Sequence, residues 1–97
     1  MSTKRGFTLY MFKNKNNHSN NICGTKIKEI RLLQIPKLSQ RGLADKLQLA
    51  GIDLDKNAIQ RIESGQRFVT DIELLAFSHI LNVSLEELLC TESAPHN

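Results

Sequence analysis

Near the middle of the chain, four polar side chains recur on one side of a short segment: Lys56, Asn57, Gln60 and Arg61. Residues four apart share a helix face, so Lys56 lines up with Gln60, and Asn57 lines up with Arg61. Lysine and arginine donate hydrogen bonds to guanine O6 and N7, while asparagine or glutamine pairs bidentately with adenine. These residue types therefore suit the base edges of a nucleic acid. On composition alone, however, an ordinary solvated helix face is the better explanation.

Glu63 changes that balance because it follows Ile59 by four residues and so faces the interior of the protein. A carboxylate in that position needs a partner. The only other charge on an inferred core face is Arg31, four residues after Ile27. We therefore predict a buried or half-buried ion pair between Arg31 and Glu63. Such a pair would hold the polar segment inward at one point while its four polar side chains face outward.

The elements that position these residues are marked by a repeated helix-start signal. A hydrophobic residue precedes a capping side chain, and a second hydrophobic residue follows five positions after the first, which is the geometry of a hydrophobic staple. The last two starts add Glu73 and Glu87, which would complete capping boxes. The four starts are Leu38-Ser39…Leu43, Leu54-Asp55…Ile59, Val69-Thr70…Leu74 and Val83-Ser84…Leu88.

These signals predict an all-α protein without strands. Pro36 ends the first helix, and Gly51 and Gly65 stand where left-handed C-terminal caps are needed. Five helices are expected, at about 25–34, 39–50, 55–64, 70–81 and 84–90. Because helices this short are marginal alone, they must pack around one small core. Its expected members are Ile27, Ile30, Leu43, Ala44, Leu47, Ile59, Ile62, Leu74, Leu75, Leu81, Leu85 and Leu88.

The length of the chain indicates one domain, and its charge distribution is compatible with binding to a polyanion. The 97 residues can support a single core. Residues 1–40 carry eight Lys or Arg against one acid, whereas residues 70–97 carry five acids and no Lys or Arg. This polarity would orient the protein in the field of a polyanion, although basic tails also serve solubility alone. Residues 1–21 are basic, rich in asparagine and without periodicity, so they are expected to form a flexible tail.

Catalysis, metals and cofactors find no support in the sequence. The three histidines, His18, His79 and His96, are scattered, and none has partners at metal-ligand or triad spacing. The two cysteines, Cys23 and Cys90, lie far apart in a chain without a convincing export signal, which favours reduced thiols. No segment approaches the length of a membrane span. We expect a cytoplasmic protein that is no enzyme and binds no cofactor or metal.

The residues resemble one known family. "IKEIRLL", "LSQRGLADKL", "AIQRIESGQR" and "DIELLAFSHILNVSLEELL" together look like the Cro/repressor-type helix-turn-helix domain, also called XRE-like. The resemblance covers about residues 22–90, and its most specific elements are the Ser39-Gln40 helix start and the Ile59…Ile62-Glu63 run. It implies a lambda-repressor-like bundle of five helices, with the domain at 22–92 between the tail and a flexible C-terminus at 93–97.

The resemblance also implies roles for individual residues. Lys56, Asn57, Gln60 and Arg61 match groove-facing positions that contact DNA bases, and Arg31 and Glu63 match the family's structural ion pair. Gln40, Gln66 and Arg67 match positions that contact the DNA backbone. The resemblance implies a transcriptional regulator of bacterial or phage type, acting as a repressor, that binds an inverted repeat of double-stranded DNA as a homodimer.

Two features leave room for a different role. The stretch "QLAGIDLDKNA" between the second and third helices is about five residues longer than the family's usual turn, which points to a less common subgroup. The acidic C-terminal region, from Asp71 to Glu92, would suit the binding of a protein partner. The alternative is therefore an antitoxin or a protein-interaction adaptor that uses the same fold.

Overall fold

The computed structural model describes residues 19–90, and within them the chain forms five α-helices and no strand. The predicted all-α, five-helix class is thereby confirmed, and every helix begins and ends within two residues of its predicted bounds. None of the helices within residues 19–90 combines the length and the apolar character that a membrane span requires. The helices are α1 (Gly24–Leu32), α2 (Gln40–Leu49), α3 (Lys56–Glu63), α4 (Asp71–Leu81) and α5 (Leu85–Leu89).

The predicted caps account for four of the helix starts. At Thr70 the capping box is complete, because the hydroxyl accepts from the Glu73 amide and the Glu73 side chain accepts from the Thr70 amide. At Ser84 the hydroxyl accepts from the Glu87 amide at 3.1 Å. The second bond of a capping box, from the Ser84 amide to the Glu87 side chain, is not formed. The capping side chains are Ser39, Asp55, Thr70 and Ser84.

The core lies where α1, α2 and α3 meet α4 and α5. Two predicted members are wrong: Leu75 is 50% exposed and Leu85 is 39% exposed. Phe77 is fully buried instead, because α4 turns a different side of its apolar surface toward the other helices. The buried apolar residues are Cys23, Ile27, Ile30, Leu43, Ala44, Leu47, Leu54, Ala58, Ile59, Ile62, Phe77, Leu81 and Leu88.

The long connection between α2 and α3 is held by hydrogen bonds. Gly51 ends α2 with a φ of +89°, a left-handed conformation that glycine adopts without a Cβ clash. The Ile52 amide then bonds to the Leu47 carbonyl at 2.9 Å, and the Gln48 side chain donates to the Leu54 carbonyl at 3.1 Å. Leu54 is buried, so the link adds a core residue and delivers the chain to the start of α3 in a fixed position.

The chain just before α1 is tied to the end of α3. Most of the predicted tail, residues 1–18, and the predicted C-terminus, 93–97, fall outside the described residues. Asn21, however, donates from its side-chain amide to the Ile62 carbonyl at 3.0 Å and to the Arg67 carbonyl at 2.8 Å. Its carbonyl oxygen accepts from the Gly24 amide at 2.7 Å. The side chain of Asn21 thus binds the first amide of α1 and two carbonyls at and after the end of α3, which the asparagine-rich composition did not reveal.

Candidate nucleic-acid interface

The outer face of α3 carries the four polar residues that the sequence singled out. Lys56, Asn57, Gln60 and Arg61 are all exposed, whereas the opposite side of the helix is buried. Asp55 begins the helix by accepting the Ala58 amide at 2.8 Å. The buried side consists of Ala58, Ile59, Ile62 and Glu63. A helix of eight residues thus divides cleanly into a core side and a hydrogen-bonding side.

Arg31 and Glu63 form a two-pronged ion pair beneath that face. Arg31 Nε donates to Glu63 Oε2 at 2.7 Å, and Nη2 donates to Oε1 at 3.0 Å. Nη1 of the same guanidinium donates to the Leu38 carbonyl at 2.9 Å. Both residues are buried, at 6% and 8% exposure. The pair joins the end of α1 to the end of α3 and also fixes the chain that enters α2.

Gln40 extends this network to the start of α2. Its side-chain amide donates to Glu63 Oε1 at 2.9 Å, so the carboxylate accepts from three side-chain N–H groups. A planar guanidinium and an amide together fix both oxygens of Glu63. The half-buried Gln40 therefore sets the position of α2 relative to α3. Its expected contact with the DNA backbone stays a prediction.

An open cleft of about 480 Å³ lies at the start of α2, lined by Arg31, Lys37, Leu38, Ser39, Gln40, Arg41 and Lys56. Arg31 is neutralised by Glu63, which leaves Lys37, Arg41 and Lys56 as a group that we call the basic cleft. The N-terminal end of the α2 dipole adds partial positive charge there. The cleft thus has the donors and the charge that a phosphate group requires.

Lys37 and Arg41 were absent from the sequence prediction. Their position could have been inferred from the sequence, since both lie two residues from Ser39, the capping residue that marks the N-terminus of α2. The position of Lys56 is also informative: it is the first residue of α3 and reaches the basic cleft. Lys56 thus lies beside both the basic cleft and the outer face of α3, and its expected base contact stays a prediction.

Gln66 and Arg67 follow α3 but differ in environment. Gln66 is exposed, whereas Arg67 is engaged with Glu73 of α4. Arg67 Nη1 donates to Glu73 Oε1 at 2.9 Å and to the Phe68 carbonyl at 2.9 Å, while Nη2 donates to Oε2 at 3.2 Å. Three of the five guanidinium N–H groups are therefore used inside the protein. The expected phosphate contact of Arg67 would have to use the remaining two.

Hydrogen bonding between the two side chains lowers the pKa of Glu73 and raises that of Arg67. Because the folded state lowers the pKa of Glu73, this pair contributes stability above the ordinary value of 4.5, and the contribution disappears as pH falls through the lowered value. We predict that Arg67→Met reduces the free energy of unfolding by up to about 1 kcal/mol at neutral pH. The loss should shrink toward zero in acid, as urea unfolding followed by circular dichroism at several pH values will measure.

Lys26→Met provides the matched control for this prediction. It removes the cation of an exposed pair, since Lys26 Nζ lies 3.6 Å from Glu29 and the two side chains are 34% and 63% exposed. Its effect on stability should be smaller than that of Arg67→Met at neutral pH. A deficit of Arg67→Met that is the same at every pH would mean that Arg67 acts by packing rather than through the charge of Glu73.

Within residues 19–90 no group of three or more His, Cys, Asp or Glu side chains could hold a metal ion. His79 is exposed on α4, and His18 and His96 lie outside the described residues. Cys23 is a buried free thiol, and Cys90 is exposed. Burial raises the pKa of the Cys23 thiol to about 11, so it stays protonated at neutral pH and acts as a core residue rather than as a nucleophile.

Comparison with known proteins gives one match. The helix-turn-helix family model HTH_3 matches residues 27–88, more than half of the chain. No curated protein and no solved structure gives a significant match. The matched span begins in α1 and ends in α5, and it contains the Arg31–Glu63 pair, α2 and the polar face of α3. The chain therefore belongs to the Cro/C1-type, XRE-like helix-turn-helix family of DNA-binding transcription regulators.

Proposed function

We propose that this protein is a sequence-specific transcriptional repressor that inserts α3 into the major groove of double-stranded DNA. One observation carries the proposal: Asn57, Gln60 and Arg61 are exposed together on a helix whose opposite side is fixed in the core. The buried side of α3 holds the helix in the fold, so the exposed side chains are available to another molecule. They are of the types that hydrogen-bond to base edges in the major groove.

The basic cleft supports a second kind of contact. We propose that Lys37, Arg41 and Lys56 bind phosphates, together with amides at the start of α2. These contacts would position the protein without reading sequence, and Gln40 and Gln66 would add to them. The Gln40–Glu63 bond then links the two kinds of contact, because a shift of α2 on the phosphate backbone is transmitted to α3.

We further propose that two copies bind an inverted repeat, with half-sites about one helical turn, roughly 10 base pairs, apart. One α3 of eight residues can read only a few base pairs, and a second copy would double the number of specific contacts. The proposal places the protein in the cytoplasm of a bacterium or in a cell that carries a phage. Selection of bound sequences from random DNA would report binding, base preference and site symmetry together.

The decisive variant is Arg61→Ala, tested on the selected DNA and on random DNA of equal length. Loss of a bidentate base contact should weaken binding to the selected DNA by about 1–3 kcal/mol, roughly 5- to 150-fold, and should scarcely change binding to random DNA. Lys37→Ala should weaken both by a similar factor and reduce the steepness of the salt dependence by about one unit. Fluorescence anisotropy of labelled duplexes at several salt concentrations measures both effects.

Lys46→Ala is the control for loss of a positive charge. Lys46 is exposed on α2 and lines neither the basic cleft nor the outer face of α3. Its affinity for both DNAs should stay near that of the unmodified protein. If Arg61→Ala lowers the affinity for both DNAs equally, Arg61 contacts a phosphate rather than a base. No binding to any DNA even at low salt would favour the antitoxin or adaptor alternative.

A further inference from the structure

The side of α4 that faces away from the core is apolar and uncovered among the described residues. Phe68, Ile72 and Leu75 are 64%, 67% and 50% exposed. Ile72 and Leu75 lie three residues apart on α4 and so share one face of the helix. Phe68 lies in the connection just before α4, and we call these three side chains the α4 stripe. Three large, exposed apolar side chains within eight residues are more than the scattered exposed leucine that any surface carries, and they indicate that another group covers this surface.

The N-terminal part of the chain begins beside the α4 stripe. The Asn20 amide donates to the Gly65 carbonyl at 2.7 Å, and the Asn20 side chain donates to the Gln66 carbonyl at 3.0 Å. Asn21 bonds to the Arg67 carbonyl at 2.8 Å, directly before Phe68. The point from which residues 1–18 depart is therefore fixed within a few residues of the first member of the stripe.

Residues 7–12, "FTLYMF", have the composition of a segment that packs against protein. They contain three of the five aromatic residues of the chain, Phe7, Tyr10 and Phe12. Six residues lie between Phe12 and Ser19, and the seven Cα–Cα steps span at most about 25 Å. The 11 residues of α4 rise over about 16 Å. The segment can therefore reach any point of the α4 stripe.

The distribution of charge also favours the N-terminal segment, rather than a second copy of the chain, as the group that covers the α4 stripe. Residues 1–18 contain four Lys or Arg and no acid, whereas residues 70–90 contain four acids and no Lys or Arg. A second copy that docked through its own α4 stripe would bring two acidic surfaces together, and like charges oppose that contact. The basic residues on either side of the aromatic segment would instead lie over an acidic surface.

We propose that residues 7–12 of the same chain dock on the α4 stripe. The tether at Asn20 and Asn21 makes the docking intramolecular, with an effective concentration on the order of millimolar. The proposal does not rest on DNA binding, since the stripe, the tether and the charges involve no residue of the outer face of α3. It assigns to the N-terminal segment a role as a cover for α4 rather than as an arm on DNA.

The chain contains one tyrosine, Tyr10, and no tryptophan, so its intrinsic fluorescence reports on the segment alone. In the 97-residue chain without DNA, we expect Tyr10 to be protected from quenching by acrylamide compared with N-acetyltyrosinamide. In Ile72→Asn/Leu75→Gln that protection should be lost, with quenching equal to the reference compound. In the control Leu33→Gln/Leu49→Gln, which changes residues that are 77% and 90% exposed on other elements, the protection should remain.

A second pair of changes tests the contact from the other side. Phe7→Gln/Phe12→Gln should release Tyr10 while the helical circular dichroism stays that of the unmodified protein, and this variant decides the matter if Ile72→Asn/Leu75→Gln fails to fold. Full quenching of Tyr10 in the unmodified protein would overturn the proposal. Protection that survives both pairs of changes, that grows with protein concentration, or that requires DNA would also overturn it, because the occupant or its site would then be another.

Discussion

Glu63→Ala should destabilise the domain by about 3–5 kcal/mol, the loss associated with removing one partner of a buried ion pair. The substitution leaves the Arg31 guanidinium buried at 6% exposure with only the Leu38 carbonyl among its described acceptors, and it also removes the acceptor of Gln40. Domains of this size are stable by only about 5–15 kcal/mol, so the loss is a large share of the total. Urea unfolding followed by circular dichroism measures it directly.

Two further variants separate burial of an unpaired charge from loss of an attractive pair. Arg31→Met/Glu63→Leu should recover most of the stability, because an apolar pair of similar size avoids the burial of a lone charge. Glu29→Ala is the surface control, since Glu29 pairs with Lys26 at 3.6 Å and its side chain is 63% exposed; its cost should not exceed about 1 kcal/mol. A cost of Glu63→Ala no larger than that of Glu29→Ala would contradict the proposed importance of the pair.

Helix starts were predictable because they depend on a few neighbouring residues. A staple and a capping side chain act over five positions, so Ser39, Asp55, Thr70 and Ser84 are visible in the sequence without knowledge of the fold. The two left-handed glycines, Gly51 and Gly65, are local in the same way. The one left-handed cap that was missed, Asn82 with a φ of 58°, uses a residue type that adopts this conformation less often than glycine.

The core side of α4 was not predictable from its pattern. Its sequence, "DIELLAFSHIL", is apolar on most sides, so several faces satisfy the periodicity equally well. The buried side, with Phe77 and Leu81, is decided by where the other helices pack, and Leu75 is left half exposed. Distant contacts decide this choice, and a short window of sequence does not contain them.

The candidate site shows the same division between local and distant information. The outward face of α3 follows from helical spacing alone, and the inward charge of Glu63 points to Arg31 across 32 residues because no other charge falls on an inferred core face. The bond between Arg67 and Glu73 was missed, since both residues already had a local explanation, one in a loop and one in a capping box. Lys37 and Arg41 join Lys56 only once α2 and α3 are placed side by side.

Gly24→Ala should destabilise the domain by at least about 1–3 kcal/mol, the usual cost of adding a carbon to a filled position. A Cβ at Gly24 would overlap the Ile62 carbonyl oxygen and would lie 2.9 Å from Asn21 Oδ1. The obstacle is backbone of α3, which cannot turn aside as a side chain can. Alanine favours a helix over glycine by only about 1 kcal/mol, so the clash outweighs the gain in propensity.

Gly42→Ala is the matched control, because Gly42 also lies in the first turn of a helix. Its added Cβ would meet Leu38 Cδ1 at 3.1 Å and Ser39 Oγ at 3.2 Å, which are side-chain atoms that can shift. We expect its stability to stay within about 1 kcal/mol of the unmodified protein, since the propensity gain offsets the crowding. Thermal and urea unfolding of both variants provide the comparison. If Gly24→Ala proves as stable as Gly42→Ala, α1 does not cross the end of α3 as closely as described. The tie from Asn21 to the Ile62 and Arg67 carbonyls would then no longer define where the domain begins.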